Sequence, residues 1–139
     1  GAGGIGDINV IEYVTIATTG NATDFGDLTQ ARYYKGSTED RTRGVFAGGI
    51  IGSAWTRQNI MDYVTVDTTG NATDFGDLTS SVRGSAGCSD GSRGVFAGGN
   101  SSSADINNID WITIQTTGNA TDFGDLTVAR AFMGACSGD

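Results

Sequence analysis

The sequence predicts an all-β fold built from a repeated unit of four short antiparallel strands. A string that reads Thr-Thr-Gly-Asn-Ala-Thr-Asp-Phe-Gly-Asp-Leu-Thr occurs three times without change, at 18–29, 68–79 and 116–127. Such self-similarity at a nearly fixed period indicates a repeat architecture. The chain also has 23 glycines and no proline, which is typical of many tight turns between short strands. Between the turns, apolar residues alternate with polar ones, and this pattern favours strands over helices.

We name the four predicted strands of each repeat a to d. Strand a follows an arginine, strand b is the Gly-Val-Phe-Ala run that ends in a glycine pair, and strand d is centred on Asp-Phe-Gly-Asp-Leu. The predicted bounds are 32–38, 83–88 and 130–136 for strand a, and 10–17, 60–67 and 108–115 for strand c.

Strand c decides the predicted architecture. In its first copy Val14 lies on one face and Ile11 on the other, because side chains alternate along a strand. A strand with apolar groups on both faces fits a sheet stacked between sheets, as in the blades of a β-propeller. We therefore expect one domain, 1–139, of three four-stranded antiparallel blades, with repeats at about 1–43, 44–93 and 94–139.

The order of residues within the repeat resembles the kelch repeat. Its elements are an arginine, a glycine pair, an acidic–aromatic pair, a further aromatic residue and a leucine. The residues that carry the resemblance are Arg32, Arg83 and Arg130, the pairs Gly48 with Gly49 and Gly98 with Gly99, then Tyr13, Tyr63 and Trp111, and last Phe25, Phe75 and Phe123. These phenylalanines depart from the kelch pattern, which usually has tryptophan there. The near-identical repeat sequences are also similar to those of repeat proteins from marine phages and bacteria. The resemblance implies that these residues are structural, with each arginine paired to a carboxylate or to backbone carbonyls of a neighbouring blade. The alternative is that the three arginines line an anion pocket, since the donors of a guanidinium serve either use.

Composition excludes several function classes. A net charge of −8 and a pI of about 4.2 argue against nucleic-acid binding and against anionic membrane surfaces. No window holds 18 consecutive apolar residues, so we expect no membrane span. The chain has two cysteines and no histidine, which opposes a zinc site and removes the commonest general base. We expect no cofactor, no metal and no catalysis.

Two further patterns have a functional and a structural interpretation. The repeated Asn-x-x-Asp-x-x-Asp places oxygen ligands close together, as for calcium, but it lacks the spacing of an EF-hand. Turn formation, in which Asn and Asp side chains bond nearby backbone groups, is the interpretation that we favour. Cys88 and Cys136 take equivalent places in strand a, and we expect small, buried, unreactive thiols there.

The repeats differ from one another mainly in two connections, b–c and d–a, which leave a blade on the same face. Loops on a rigid scaffold commonly carry function. The binding candidates are Trp55 and Arg57 of the longest b–c connection, with Tyr33, Tyr34 and Phe132 at the start of strand a. We expect a non-catalytic binding or structural module that contacts a protein or glycan, for example in a phage or cell-surface appendage, and hence outside the cell or on a virion. The alternative is a fragment of a glycan-active propeller enzyme whose catalytic residues lie outside this chain.

Three blades are fewer than the four to eight of a closed propeller. The chain is then a piece of a longer protein, or copies of it assemble. For the second case we expect a homodimer that forms a six-bladed ring, with the end of one chain completing the beginning of the other.

Overall fold

The computed structural model describes residues 8–137. Within them it contains strands and no helix, and every strand pairing is antiparallel. The strands are β1 (Val10–Tyr13), β2 (Thr23–Asp27), β3 (Gly36–Glu39), β4 (Arg43–Ala47), β5 (Ile50–Ile51), β6 (Thr56–Thr65), β7 (Thr73–Val82), β8 (Ala86–Ser89), β9 (Arg93–Ala97), β10 (Asn108–Thr113) and β11 (Thr121–Asp125). The all-β prediction is confirmed. None of these residues belongs to a helix that could cross a lipid bilayer.

Each four-stranded sheet takes strand a from the end of one predicted repeat and strands b to d from the next. The first sheet is the pair β1-β2, the second is β3-β4-β6-β7 with the short β5 also on β6, and the third is β8-β9-β10-β11. Chain neighbours therefore pair in order, with strands a to d arranged as predicted. The predicted strand at 130–136 is the exception, because the described residues after β11 form no strand.

A β-bulge recurs where strand d meets strand c. In the second repeat Met61 faces Gly76 and Asp62 faces Asp74, so Phe75 is the extra residue on β7. The same shift in register recurs in the β1-β2 and β10-β11 pairs. A bulge bends the strand and re-aims its side chains, and here it turns Phe75, which is 2% exposed, into the core.

The main core lies between the second and third sheets. It contains the buried side chains Val45, Ala47, Met61, Phe75, Leu78, Val82, Phe96, Ile112 and Ile114. The strands β3 and β8 run side by side, and Thr38 Oγ1 donates to the carbonyl of Cys88 at 2.8 Å. A side chain at Gly87 would collide with the carbonyl oxygen of Ser37, so glycine permits this close approach.

The invariant string joins successive repeats. We call its Gly-Asn-Ala part the loop and its Phe-Gly-Asp part the edge. The N–H groups of Gly70 and Ala72 donate to the carbonyls of Phe25 and Asp27, each at 2.7 Å. Asn71 Oδ1 accepts the backbone N–H of Asp27 at 3.0 Å. The loop of the second repeat thus lies on the edge of the first, and we call this contact a joint.

The same joint forms between the second and third repeats. Gly118 and Ala120 donate to the carbonyls of Phe75 and Asp77 at 2.7 and 2.8 Å, and Asn119 Oδ1 accepts the N–H of Asp77 at 3.1 Å. The predicted role of these asparagines as local turn formers is wrong. Their side chains bond backbone groups more than 40 residues away, because the loop of one repeat faces the edge of the previous one.

The two cysteines are free, with Cys88 half-buried and Cys136 exposed. The prediction of buried thiols is therefore wrong for Cys136, and Cys88 is only partly buried. Cys136 lies after β11, the last strand of the described residues, whereas Cys88 belongs to β8, which packs beside β3.

Candidate functional site

The aromatic binding candidates come together on one face of the molecule. Tyr33 and Tyr34 have ring centroids 5.0 Å apart, Tyr33 lies 6.2 Å from Trp55, and Tyr34 lies 5.5 Å from Phe132. The guanidinium of Arg83 lies over three of these rings, with its Cζ atom 5.0 Å from the centroid of Trp55. We call these five residues the aromatic–arginine cluster.

Backbone bridges between the d–a and b–c connections position the cluster. Tyr33 and Ile50 exchange two backbone hydrogen bonds, at 3.1 and 2.9 Å. Arg83 and Asn100 exchange the equivalent pair in the next repeat, at 3.2 and 2.8 Å. Side chains from the two variable connections therefore share one surface, as the predicted meander implies.

A second backbone series links the three repeats beneath the cluster. The N–H of Gly84 donates to the carbonyl of Tyr34, and the N–H of Phe132 donates to the carbonyl of Gly84, both at 2.8 Å. The φ angles at these three equivalent positions are 60°, 66° and 56°. Gly84 also leaves room for the neighbouring ring, because a Cβ there would lie 2.6 Å from the ring of Phe132.

The cluster holds strained backbone. Within residues 8–137 the non-glycine residues with positive φ are Tyr34, Trp55 and Phe132, and all three belong to the cluster. Bulky residues rarely adopt this conformation, at a cost of about 1–3 kcal/mol each. The same three side chains are about half exposed. The fold therefore holds large rings in water at a conformational cost.

Arg57 borders the cluster through a shared amide. Asn100 Oδ1 accepts from Arg57 Nη2 at 2.9 Å and from Arg83 Nε at 3.4 Å, and its Nδ2 donates to Asp105 at 2.8 Å. Arg57 also donates to the carbonyl of Trp55 at 3.1 Å. Hydrogen bonds thus hold both guanidinium groups beside the rings, and Arg83 also makes cation–π contacts with them.

Lys35 adds a third cation behind the cluster. Its Nζ donates to the carbonyl of Arg32 at 2.8 Å. Burial lowers the pKa of Lys35, the neighbouring Arg32 charge lowers it further, and Asp62 partly opposes both effects. Against a net charge of −8 for the whole chain, this region is locally cationic.

Arg32 lies beneath the surface as a structural residue. Its Nη1 and the Oδ2 of Asp62 are 2.6 Å apart, and both side chains are fully buried. Its Nε donates to the carbonyl of Gly48 at 2.9 Å. Gly48 and Gly49 follow β4, and the N–H of Gly49 donates to the carbonyl of Val82 at 2.8 Å.

Arg83 does not repeat the position of Arg32, and the predicted equivalence is wrong. Val82 takes that place, because it follows Thr79 by three residues, as Arg32 follows Thr29. Arg83 instead corresponds to Tyr33 and reaches the surface. Asp110, the counterpart of Asp62, is 5% exposed and accepts hydrogen bonds from Thr79 and Asn108 in place of an arginine. Arg130 does align with Arg32 but is exposed.

The remaining family-type residues pack within or beside the sheets. Tyr13 and Tyr63 make edge contacts with Phe25 and Phe75, at 5.9 and 6.0 Å. Trp111 lies on β10, and the pair Gly98 and Gly99 follows β9. Phe123 differs from its counterparts, since it is 57% exposed whereas Phe25 is 9% exposed.

Within the described part of the chain, no three Cys, Asp or Glu side chains are grouped to hold a metal ion. Comparison with models of known protein families gives no match, and comparison with curated proteins gives none either.

Proposed function

We propose that the chain is a kelch-like β-propeller segment that acts as a non-catalytic binding module. In this proposal the aromatic–arginine cluster contacts a protein or a glycan. The observation that carries it is the combination of exposed rings with left-handed backbone at Tyr34, Trp55 and Phe132. Strained backbone beneath an exposed aromatic patch is typical of a binding surface, because neither feature helps the fold.

The order of the strands supports the propeller part of the proposal. Each complete repeat is a four-stranded antiparallel meander, and the first strands of the two complete sheets, β3 and β8, lie side by side. Propeller blades have this order around a central axis. The hydrogen-bonded series Tyr34, Gly84 and Phe132 would then circle the axis, with the cluster at its mouth.

The chemistry of the cluster supports either class of partner. Flat aromatic rings stack on the apolar faces of sugars, and guanidinium groups donate to hydroxyl and carboxylate oxygens. Trp, Tyr and Arg also predominate in protein hot spots. Because Arg57, Arg83 and Lys35 make this region cationic, we expect an anionic group where the partner meets the cluster. The sequences of the repeats resemble those of phage and bacterial repeat proteins, and this resemblance supports a place in a virion or cell-surface appendage.

A glycan array that includes uronic and sialic acids tests the proposal, with Trp55→Ala and Arg83→Ala as the variants. Val66→Ala is the matched control, because Val66 is 46% exposed and Trp55 47%, and it lies outside the cluster. We expect both cluster variants to lose binding that the control keeps.

If no glycan binds, the same three variants are compared with the unmodified chain in a quantitative pull-down. A protein partner must be lost with both cluster variants and kept with the control. Binding that survives both cluster substitutions would contradict the cluster as the site.

A further inference from the structure

We propose that the edge Phe123-Gly124-Asp125 of one copy binds the loop Gly20-Asn21-Ala22 of a second copy, forming in trans the joint that the chain already makes twice within itself. These residues would mediate the self-association that the sequence predicts. It does not depend on the aromatic–arginine cluster.

The edge of the third repeat has the same sequence as the two edges that form joints, but no loop lies on it within residues 8–137. Phe25 and Phe75, which are covered by the loop of the following repeat, are 9% and 2% exposed, whereas Phe123 is 57% exposed. A side chain at Gly76 would collide with the carbonyl of Gly118 in the joint, whereas no atom of the described residues lies within 4 Å of the same position at Gly124. The space that a loop fills elsewhere is open here.

The loop of the first repeat is the matching half. Ala72 and Ala120, which sit in joints, are half-buried, whereas Ala22 is exposed. Asn21 corresponds to Asn71, whose Oδ1 accepts the N–H of Asp27. Because the two halves have the same sequences as the halves that pair within the chain, they have the hydrogen-bonding groups for the same contact.

A second contact would accompany the first. Within the chain Arg32 follows one edge and pairs with Asp62 on strand c of the next repeat, at 2.6 Å. Arg130 takes the place of Arg32, and Glu12 takes the place of Asp62. Both are exposed, and their charges are opposite. In the joint between copies, Arg130 of one copy would therefore pair with Glu12 of the other.

The occupant that fits is a second copy, because it carries the loop and the carboxylate in the same spacing. A contact between different patches of identical chains is head-to-tail, and it closes into a ring or extends into a filament. Either assembly buries the exposed Phe123 ring.

Charge reversal tests the joint, by sedimentation velocity of the full chain over a range of concentrations. Glu12→Arg and Arg130→Glu should each raise the dissociation constant by about tenfold or more. An equimolar mixture of the two variants should restore association to near that of the unmodified chain, because each arginine then meets a glutamate. Both positions are exposed, so the melting temperature of the monomer should not change.

Substitutions of two equivalent loop asparagines form a matched test and control. Asn21→Ala should weaken association and leave monomer stability unchanged, whereas Asn119→Ala should lower monomer stability, since its Oδ1 accepts a bond in an internal joint, and leave the dissociation constant unchanged. An unmodified chain that stays monomeric at its highest soluble concentration would overturn the proposal. So would an assembly that neither reversal weakens, or a mixture of the two variants that stays apart.

Discussion

Replacement of Arg32 by leucine should lower the free energy of unfolding by about 3–5 kcal/mol, the usual cost of removing one partner from a buried ion pair. Arg32 and Asp62 are both fully buried, with 2.6 Å between Nη1 and Oδ2. After the substitution, the carboxylate would keep the hydroxyl of Thr29, which donates to Oδ1 at 2.5 Å, and the nearby charge of Lys35, but it would lose its ion-paired cation. The stranded charge gives the larger part of the cost, since leucine can fill much of the arginine stem's volume.

The lost backbone contacts are part of this cost of about 3–5 kcal/mol. Arg32 Nε donates to the carbonyl of Gly48 at 2.9 Å, and Nη2 donates to that of Phe46 at 3.3 Å. A hydrogen bond that involves a charged group contributes about 1.5–3 kcal/mol, and the longer of these two contributes least. For a chain of 139 residues, each kcal/mol shifts the melting temperature by about 3 °C, so we expect a decrease of about 10–15 °C.

Guanidinium unfolding followed by circular dichroism measures the effect, at a concentration where the chain is monomeric. Arg93→Leu is the control, because the Arg93–Asp90 pair is half-exposed at 3.2 Å and exposed pairs stabilise little. The double variant Arg32→Leu with Asp62→Leu should recover much of the loss, since an apolar pair can replace a buried ion pair. A midpoint for Arg32→Leu equal to that of the control would refute the reasoning.

Two further substitutions examine the joint and the acid response, each by unfolding midpoints. Gly76→Ala should destabilise the monomer more than Gly124→Ala, because both have positive φ but only Gly76 faces the carbonyl of Gly118; equal effects would contradict the joint. For Asp40, burial raises the pKa, but hydrogen bonds from Gln115 and from two backbone N–H groups outweigh it and hold the pKa below its ordinary value of 3.8. A lowered pKa stabilises the fold above pH 3.8, and this stabilisation is lost as the pH falls through the folded-state value. Asp40→Asn should therefore cost stability at pH 7, and the cost should shrink below about pH 4; a cost independent of pH would exclude this role.

The strand order could be predicted because it depends on local patterns. The run Arg-Gly-Val-Phe-Ala forms β4 and β9, and the glycine pair ends each of them. The meeting of Trp55 with Tyr33 also follows from sequence, since connections that leave a meander on the same side share a face. Their ring centroids are 6.2 Å apart, as expected for side chains on one face.

The register of the arginines can be counted from the end of the repeated string, and this count contradicts the predicted equivalence of Arg32 and Arg83. Arg83 follows its string by four residues and Arg32 by three, and one residue reverses the face of an extended segment. Val82 therefore enters the core while Arg83 reaches the rings. This shift assembles the cation of the cluster, and it leaves Asp110 to hydroxyl, amide and backbone donors instead of an arginine.

The joint could not be predicted from a pattern along the chain, because its halves meet only after folding, 44 residues apart in the case of Asn71 and Asp27. The geometry of the joint nevertheless explains why the three copies of the string are identical in sequence. The middle copy uses its loop toward the preceding repeat and its edge toward the following one, so a change in either half must suit a partner with the same sequence. Gly76 is the most constrained position of this copy, since any side chain there would collide with the backbone of the next loop. The connections that carry the cluster do not have to match two copies of the same sequence. They can therefore differ between repeats where a partner would bind.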